Sequence, residues 1–106
     1  MKYEEFVEKI RPLEIDENIK SKILNYIRYA HKKFERAKDA ARSLNINDVV
    51  DLSIDAGRGL GYGELVLFNL DNPELYKYLS NFTDFQYQNL KEIVSIWNER
   101  SKEIVG

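Results

Sequence analysis

The stretch Asp48–Leu70, DVVDLSIDAGRGLGYGELVLFNL, decides how this chain folds. It holds four of the five glycines, at Gly57, Gly59, Gly61 and Gly63. A phosphate-cradling loop and a helix compete for it. The alternation G-R-G-L-G-Y-G fits neither the dinucleotide fingerprint G-x-G-x-x-G nor the P-loop pattern G-x-x-x-x-G-K-S/T, and no strand precedes it to aim backbone amides at a ligand. Helical spacing holds on either side, through Val50 and Ile54 before and Leu65 and Phe68 after. Ser53, Gly57 and Gly61 then share one helix face, and Gly59 and Gly63 another. Four glycines inside a helix cost roughly 0.8–1 kcal/mol each relative to alanine, so about 3–4 kcal/mol of packing must offset them. Close approach of neighbouring helices onto small residues supplies that. The run Leu65–Phe68 is apolar on every side, the mark of a helix buried all round. The stretch therefore reads as a central helix, continuous or slightly bent, packed through Ser53, Gly57, Gly59, Gly61 and Gly63; a break near Gly59–Gly61 is the competing form. On this expectation Gly57→Leu or Gly61→Leu destabilises by several kcal/mol through overpacking.

Outward from this stretch the pattern stays helical. Tyr3, Phe6, Val7 and Ile10 mark one face of a first helix over residues 2–11, ended by Pro12. Asp16 caps a second helix, in which Ile19, Ile23, Tyr26, Ile27, Ala30, Phe34, Ala37, Ala41 and Leu44 recur at steps of mostly three or four. This helix spans 17–44, with Asn45 as a left-handed C-terminal residue and Asn47 as the cap of the third helix. So short a link makes the two an antiparallel hairpin. Asn72-Pro73 starts a short fourth helix over 73–80. Thr83-Asp84-Phe85-Gln86 fits a capping box and starts a fifth, with Tyr87, Leu90, Val94, Trp97, Ser101 and Ile104 as its seam. The expected architecture is all-α: one domain, residues 1–106, an antiparallel bundle of four to five helices with a long central hairpin.

The bulk composition excludes several functions. A chain of 106 residues without cysteine has no disulfide, thiolate metal site or cysteine nucleophile. No apolar run approaches the ~18 residues of a membrane span, and the acidic N-terminus MKYEEFVEKIRP is no signal peptide. A cytoplasmic location, no membrane and no cofactor are the expectations.

Charge is unevenly spread. Between Asn18 and Leu44 eight basic residues face two acids, whereas Asn45–Asp84 carries two basic residues and seven acids. In a hairpin turning at Asn45–Asn47, facing positions have numbers summing to about 91. That pairs Arg42 with Asp48 or Asp51, Lys38 with Asp51 or Asp55, Glu35 with Arg58 and Arg28 with Glu64, and lets Tyr29 meet Tyr62. Exposed pairs of this kind stabilise by only about 0–1 kcal/mol each and serve orientation. Lys20, Lys22, Arg28, Lys32, Lys33 and Arg36 offer an alternative use, a basic face for nucleic acid.

Chemistry-bearing groups are sparse. His31, the one histidine, forms an i, i+4 pair with Glu35 that Asp55 or Glu64 would have to complete as a metal site; none is expected. Glu4-Glu5-Phe6-Val7-Glu8 resembles the E-E-x-x-E half of the magnesium site of all-α nucleotide pyrophosphohydrolases of the MazG type. The resemblance implies metal-dependent nucleotide hydrolysis by Glu4, Glu5 and Glu8. Its partner half, E-x-x-D on the next helix, is missing: Glu35 and Asp39 have the wrong spacing and Asp48-x-x-Asp51 lies too far along. The long helix, tight turn and small-residue helix also resemble HEPN-type domains. Their ribonuclease members place histidine four to six residues after arginine, whereas here two residues separate Arg28 from His31. With no complete catalytic constellation, the leading expectation is a non-enzymatic interaction module, an accessory subunit or homodimer using the outer faces of the second and fifth helices. Tyr29, Tyr62, Ile93 and Ile96 are its candidate interface residues.

Overall fold

Where the two helices of the long hairpin start follows from side chains that satisfy their free amides. The computed structural model describes residues 1–105, so the last residue of the expected domain lies outside it. Helix α1 covers Tyr3–Ile10 and stops just before Pro12. Asp16 then caps α2, Glu17–Arg42, its Oδ1 accepting from the amides of Asn18 at 2.9 Å and Ile19 at 3.2 Å. Asn45 caps α3, Ile46–Phe68, accepting from the Asp48 amide at 3.2 Å. A 3-10 turn, Pro73–Tyr78, leads directly into α4, Leu79–Val105. Successive α-helices alternate in direction, so the described residues form an all-α helical bundle with α2–α3 as its long hairpin. The bundle is elongated, 52 × 19 × 18 Å.

The hairpin turns one residue earlier than expected. Leu44, at φ 54°, takes the left-handed position expected for Asn45. The Leu44 amide bonds the Ala41 carbonyl and the Asn45 amide bonds the Ala40 carbonyl, which closes α2 in a Schellman motif. Asn45 therefore ends one helix and caps the next, which leaves no capping role for Asn47. The register follows: Tyr26 meets Tyr62, Lys33 meets Asp55 and Tyr29 meets Gly59, pairs whose numbers each sum to 88 rather than about 91. A shift of three is nearly one helical turn, and it dissolves the expected cross-hairpin charge pairs. Arg42 bonds Asp39 at 2.6 Å, Arg58 lies 3.6 Å from Asp55 on its own helix, and Arg28 bonds Asn25. Lys33–Asp55, at 3.8 Å, is the one α2–α3 ion pair among the described residues.

The core corrects the choice of central helix. α2, not α3, packs against every other α-helix. Its Ile23, Ile27, Ala30, Phe34, Ala37 and Ala41 are fully buried. Around it, Phe6, Phe34, Phe82 and Phe85 form an aromatic cluster joining α1, α2 and α4, with Phe6 edge-on to Phe82 at 4.8 Å. Helix α4 begins at Leu79, so Thr83 and Asp84 lie inside it and no capping box forms. Burying Phe82 and Phe85 sets its rotation: Asn89 and Ile93 follow inward, while Tyr87 and Val94 of the expected seam face solvent. Asn89 disguises this face in the sequence. It survives burial because its amide donates to the Phe85 carbonyl at 2.9 Å.

The glycines of α3 divide by face, and the helix passes through all four unbroken. A Cβ on Gly63 would lie 2.8 Å from the buried ring of Phe82, and one on Gly59 2.8 Å from Tyr29. These two admit α4 and α2. Gly57 is looser, with Gln86 Nε2 at 3.2 Å, and Gly61 has nothing within 4 Å. Gly61 is thus not a packing residue within this chain, and the expected penalty for Gly61→Leu moves to Gly63. Ser53 turns its hydroxyl inward, where it is buried with no hydrogen-bond partner. An orphaned buried hydroxyl costs about 1–3 kcal/mol. Ser53→Ala is therefore expected to raise stability by about 1 kcal/mol, measured as the shift of the urea midpoint at unchanged slope.

Candidate functional site

Helix α3 has an outer face whose large apolar side chains stay about half exposed. Ile46, Val50, Ile54, Leu65 and Phe68 recur at helical spacing along it, and each is about half exposed, from 46% at Val50 to 59% at Leu65. This overturns the expectation that the run Leu65–Phe68 is buried all round: Val66 and Leu67 turn toward the core while Leu65 and Phe68 turn to solvent. Gly57 and Gly61 lie between the upper and lower large residues, so the stripe is pinched in its middle. Tyr76 extends it at one end, its ring stacked on Phe68 at 5.2 Å. Contiguous apolar stripes of this kind are uncommon on a monomer surface and mark docking sites.

Two charged residues flank the pinch. Arg58 is mostly exposed and has only Asp55 as ion-pair partner. Glu64 is half-buried and makes no ion pair among the described residues. Burial pushes its carboxyl above the ordinary 4.5. Beside this face a groove of about 500 Å³ opens between α2 and α3, lined by Tyr26, Tyr29, Arg58 and Tyr62. Tyr62 stands over Tyr26 at 5.6 Å, not over Tyr29, which stacks instead beneath Lys33. Both Tyr29 and Tyr62 are exposed. Ile93 is 3% exposed and Ile96 packs against the core, so neither offers an interface. The rotation of α4 set by Phe82 and Phe85 draws them in.

A second cluster lies where α1, α2 and α4 meet. Tyr3 stacks on His31 at 4.2 Å, and His31 Nδ1 is 4.0 Å from Glu35. Lys38, almost fully buried, bridges Glu35 at 3.0 Å and Glu92 at 2.7 Å. Burial opposes the charge on Lys38, but hydrogen bonds to Glu92 and Glu35 outweigh it and leave its pKa raised. The hydrogen bond from Lys38 and a second from Gln88 hold the Glu92 carboxyl below its ordinary value. The signs then fix a pH window. A depressed carboxyl adds stability above 4.5 that disappears as pH falls through its folded value. A raised lysine adds stability below 10.5 that disappears as pH rises through its folded value. The contribution of Lys38 and Glu92 is expected to level off between these limits and to fall at both ends. In Lys38→Met both slopes should flatten, as read from urea midpoints across pH.

In this cluster Lys38 ties α2 to α4 through Glu92. Among the described residues no three His, Asp or Glu side chains converge on one ion. Asp55, one of the two acids that a site with His31 and Glu35 would need, is engaged by Lys33 and Arg58. Glu4, Glu5 and Glu8 are exposed on α1. Of the six basic residues, Lys20 is folded onto the Arg11 carbonyl at 2.8 Å and Lys33 onto Asp55 and Tyr29. Lys22, Arg28, Lys32 and Arg36 remain exposed on α2. No described helix is long and apolar enough to cross a membrane. The outer stripe of α3 was foreshadowed in the sequence by Ile46, Val50 and Ile54 at steps of four, ahead of Leu65 and Phe68. Comparison with protein-family models, curated proteins and solved structures returns no match to the chain.

Proposed function

We propose that the protein is a non-enzymatic helical interaction module and that it docks its partner on the outer face of α3. The stripe Ile46, Val50, Ile54, Leu65 and Phe68 carries this reading. Leaving five large apolar side chains half in water gives up transfer free energy of order 1 kcal/mol apiece, which a partner's surface recovers. The pinch at Gly57 and Gly61 supports it further. A glycine in a helix costs roughly 0.8–1 kcal/mol against alanine, and no described residue uses the space at Gly61. A close-fitting helix from outside would use it. The interface sits on α3 rather than on the outer faces of α2 and α4.

A photo-cross-linking residue placed at Leu65 tests this, with one at the exposed Glu99 on α4 as control. Cross-links at Leu65 are expected to exceed those at Glu99 several-fold in cells expressing the protein. Equal yields at the two positions would overturn the reading.

A further inference from the structure

The occupant of this face can be read from its symmetry, granted that the face is a docking surface. At about 100° per residue, Ile54, Gly57, Arg58, Glu64, Leu65 and Phe68 all fall within about 60° of Gly61. They are also placed evenly before and after it. Reversing the helix about Gly61 brings Ile54 level with Phe68, Gly57 level with Leu65 and Arg58 level with Glu64. At these levels apolar Ile54 meets apolar Phe68 and opposite charges meet, and the open space lies at Gly61, where nothing stands within 4 Å. Gly61 meets itself at the point of closest approach.

We propose that a second copy of this chain packs on the first through α3, antiparallel, with Gly61 on the twofold axis. A parallel pair would set Arg58 against Arg58 and Glu64 against Glu64. The antiparallel pair places Glu64, which has no ion pair among the described residues, within reach of the partner copy's arginine. Burial already disfavours the charge on that carboxyl. The resulting interface is isologous, so one patch serves both copies. With α2 behind each α3, two hairpins back to back make a four-helix layer, an ordinary solution to covering two apolar stripes. A single helix-on-helix contact is a small interface, which implies a dimer that exchanges at micromolar concentration.

Sedimentation of the full chain from low to several hundred micromolar tests this. Wild type is expected to shift from monomer to dimer across that range. Arg58→Glu and Glu64→Lys should each weaken the dimer about tenfold, and the double variant should recover most of that loss, because the swap restores opposite charges across the axis. Gly61→Leu should abolish the dimer while leaving the melting of dilute monomer intact, which separates lost association from lost fold. A protein that stays monomeric throughout overturns the proposal. So does a dimer indifferent to these substitutions, or a double variant no stronger than the singles. A monomer that still cross-links strongly to another protein through Leu65 defeats only the second copy as occupant and leaves the docking face standing. A monomer with no such cross-links defeats both.

Discussion

Gly63→Leu is expected to destabilise the protein by about 3 kcal/mol, the upper end of ordinary overpacking. Even a Cβ at this position stands 2.8 Å from the Phe82 ring, and Phe82 is fully buried against Phe6. The ring cannot turn aside without disturbing α1 as well, so either α3 or α4 must shift. Gain in helix propensity returns roughly 1 kcal/mol and does not reverse the sign. Two residues away, Gly61→Leu gains the same propensity and meets nothing within 4 Å. Its dilute monomer should match or exceed wild type. Urea unfolding of the two variants side by side gives a difference of sign between adjacent small residues. Equal losses at both positions would mean that α3 is covered on both faces.

Phe82→Ala is expected to remove about 3–5 kcal/mol, the range for deleting a buried phenylalanine. The cost should lie at the high end. Phe82 touches two other helices, α1 through Phe6 and α3 at Gly63. Such a site cannot collapse onto the space from one side. The substitution also removes the obstacle above Gly63. Gly63→Ala should therefore cost less, or even stabilise, in a Phe82→Leu background. Purely additive losses in that double-mutant cycle would show that the two residues do not share one constraint.

These contrasts show what was legible in the sequence. The continuity of α3 through four glycines could be read from Val50, Ile54, Leu65 and Phe68 on either side. The caps Asp16 and Asn72 could be read because each is a strong local signal. Asn45 and Asn47 compete for the same role two residues apart, and sequence alone does not decide between them. That small ambiguity moved the hairpin by nearly a turn and with it every predicted ion pair. Thr83 matched a capping box, but capping is worth about 1 kcal/mol and burying Phe82 and Phe85 on one continuous helix is worth more. The continuation of the outer stripe past Ile54 was hidden for another reason. Leu65, Val66, Leu67 and Phe68 are consecutive, so hydrophobicity cannot say which of them face inward. The rotation of α3 is set by where Gly59 and Gly63 admit Tyr29 and Phe82, a matter of three-dimensional fit.

In the proposed dimer the open side of α3 receives a second α3 running the other way. The chain has no cysteine, so single cysteines can be placed without interference. Helices packed 8–10 Å apart, each with Cα atoms about 2.3 Å from its axis, bring facing Cα atoms to about 4–5 Å at the crossing, within disulfide reach. Under mild oxidation Gly61→Cys is predicted to cross-link to itself. Ile54→Cys should cross-link to Phe68→Cys when the two variants are mixed, and neither should cross-link efficiently alone. Self-cross-linking of Ile54→Cys and Phe68→Cys as strong as that of Gly61→Cys, or no cross-linking at any of the three, would contradict this arrangement.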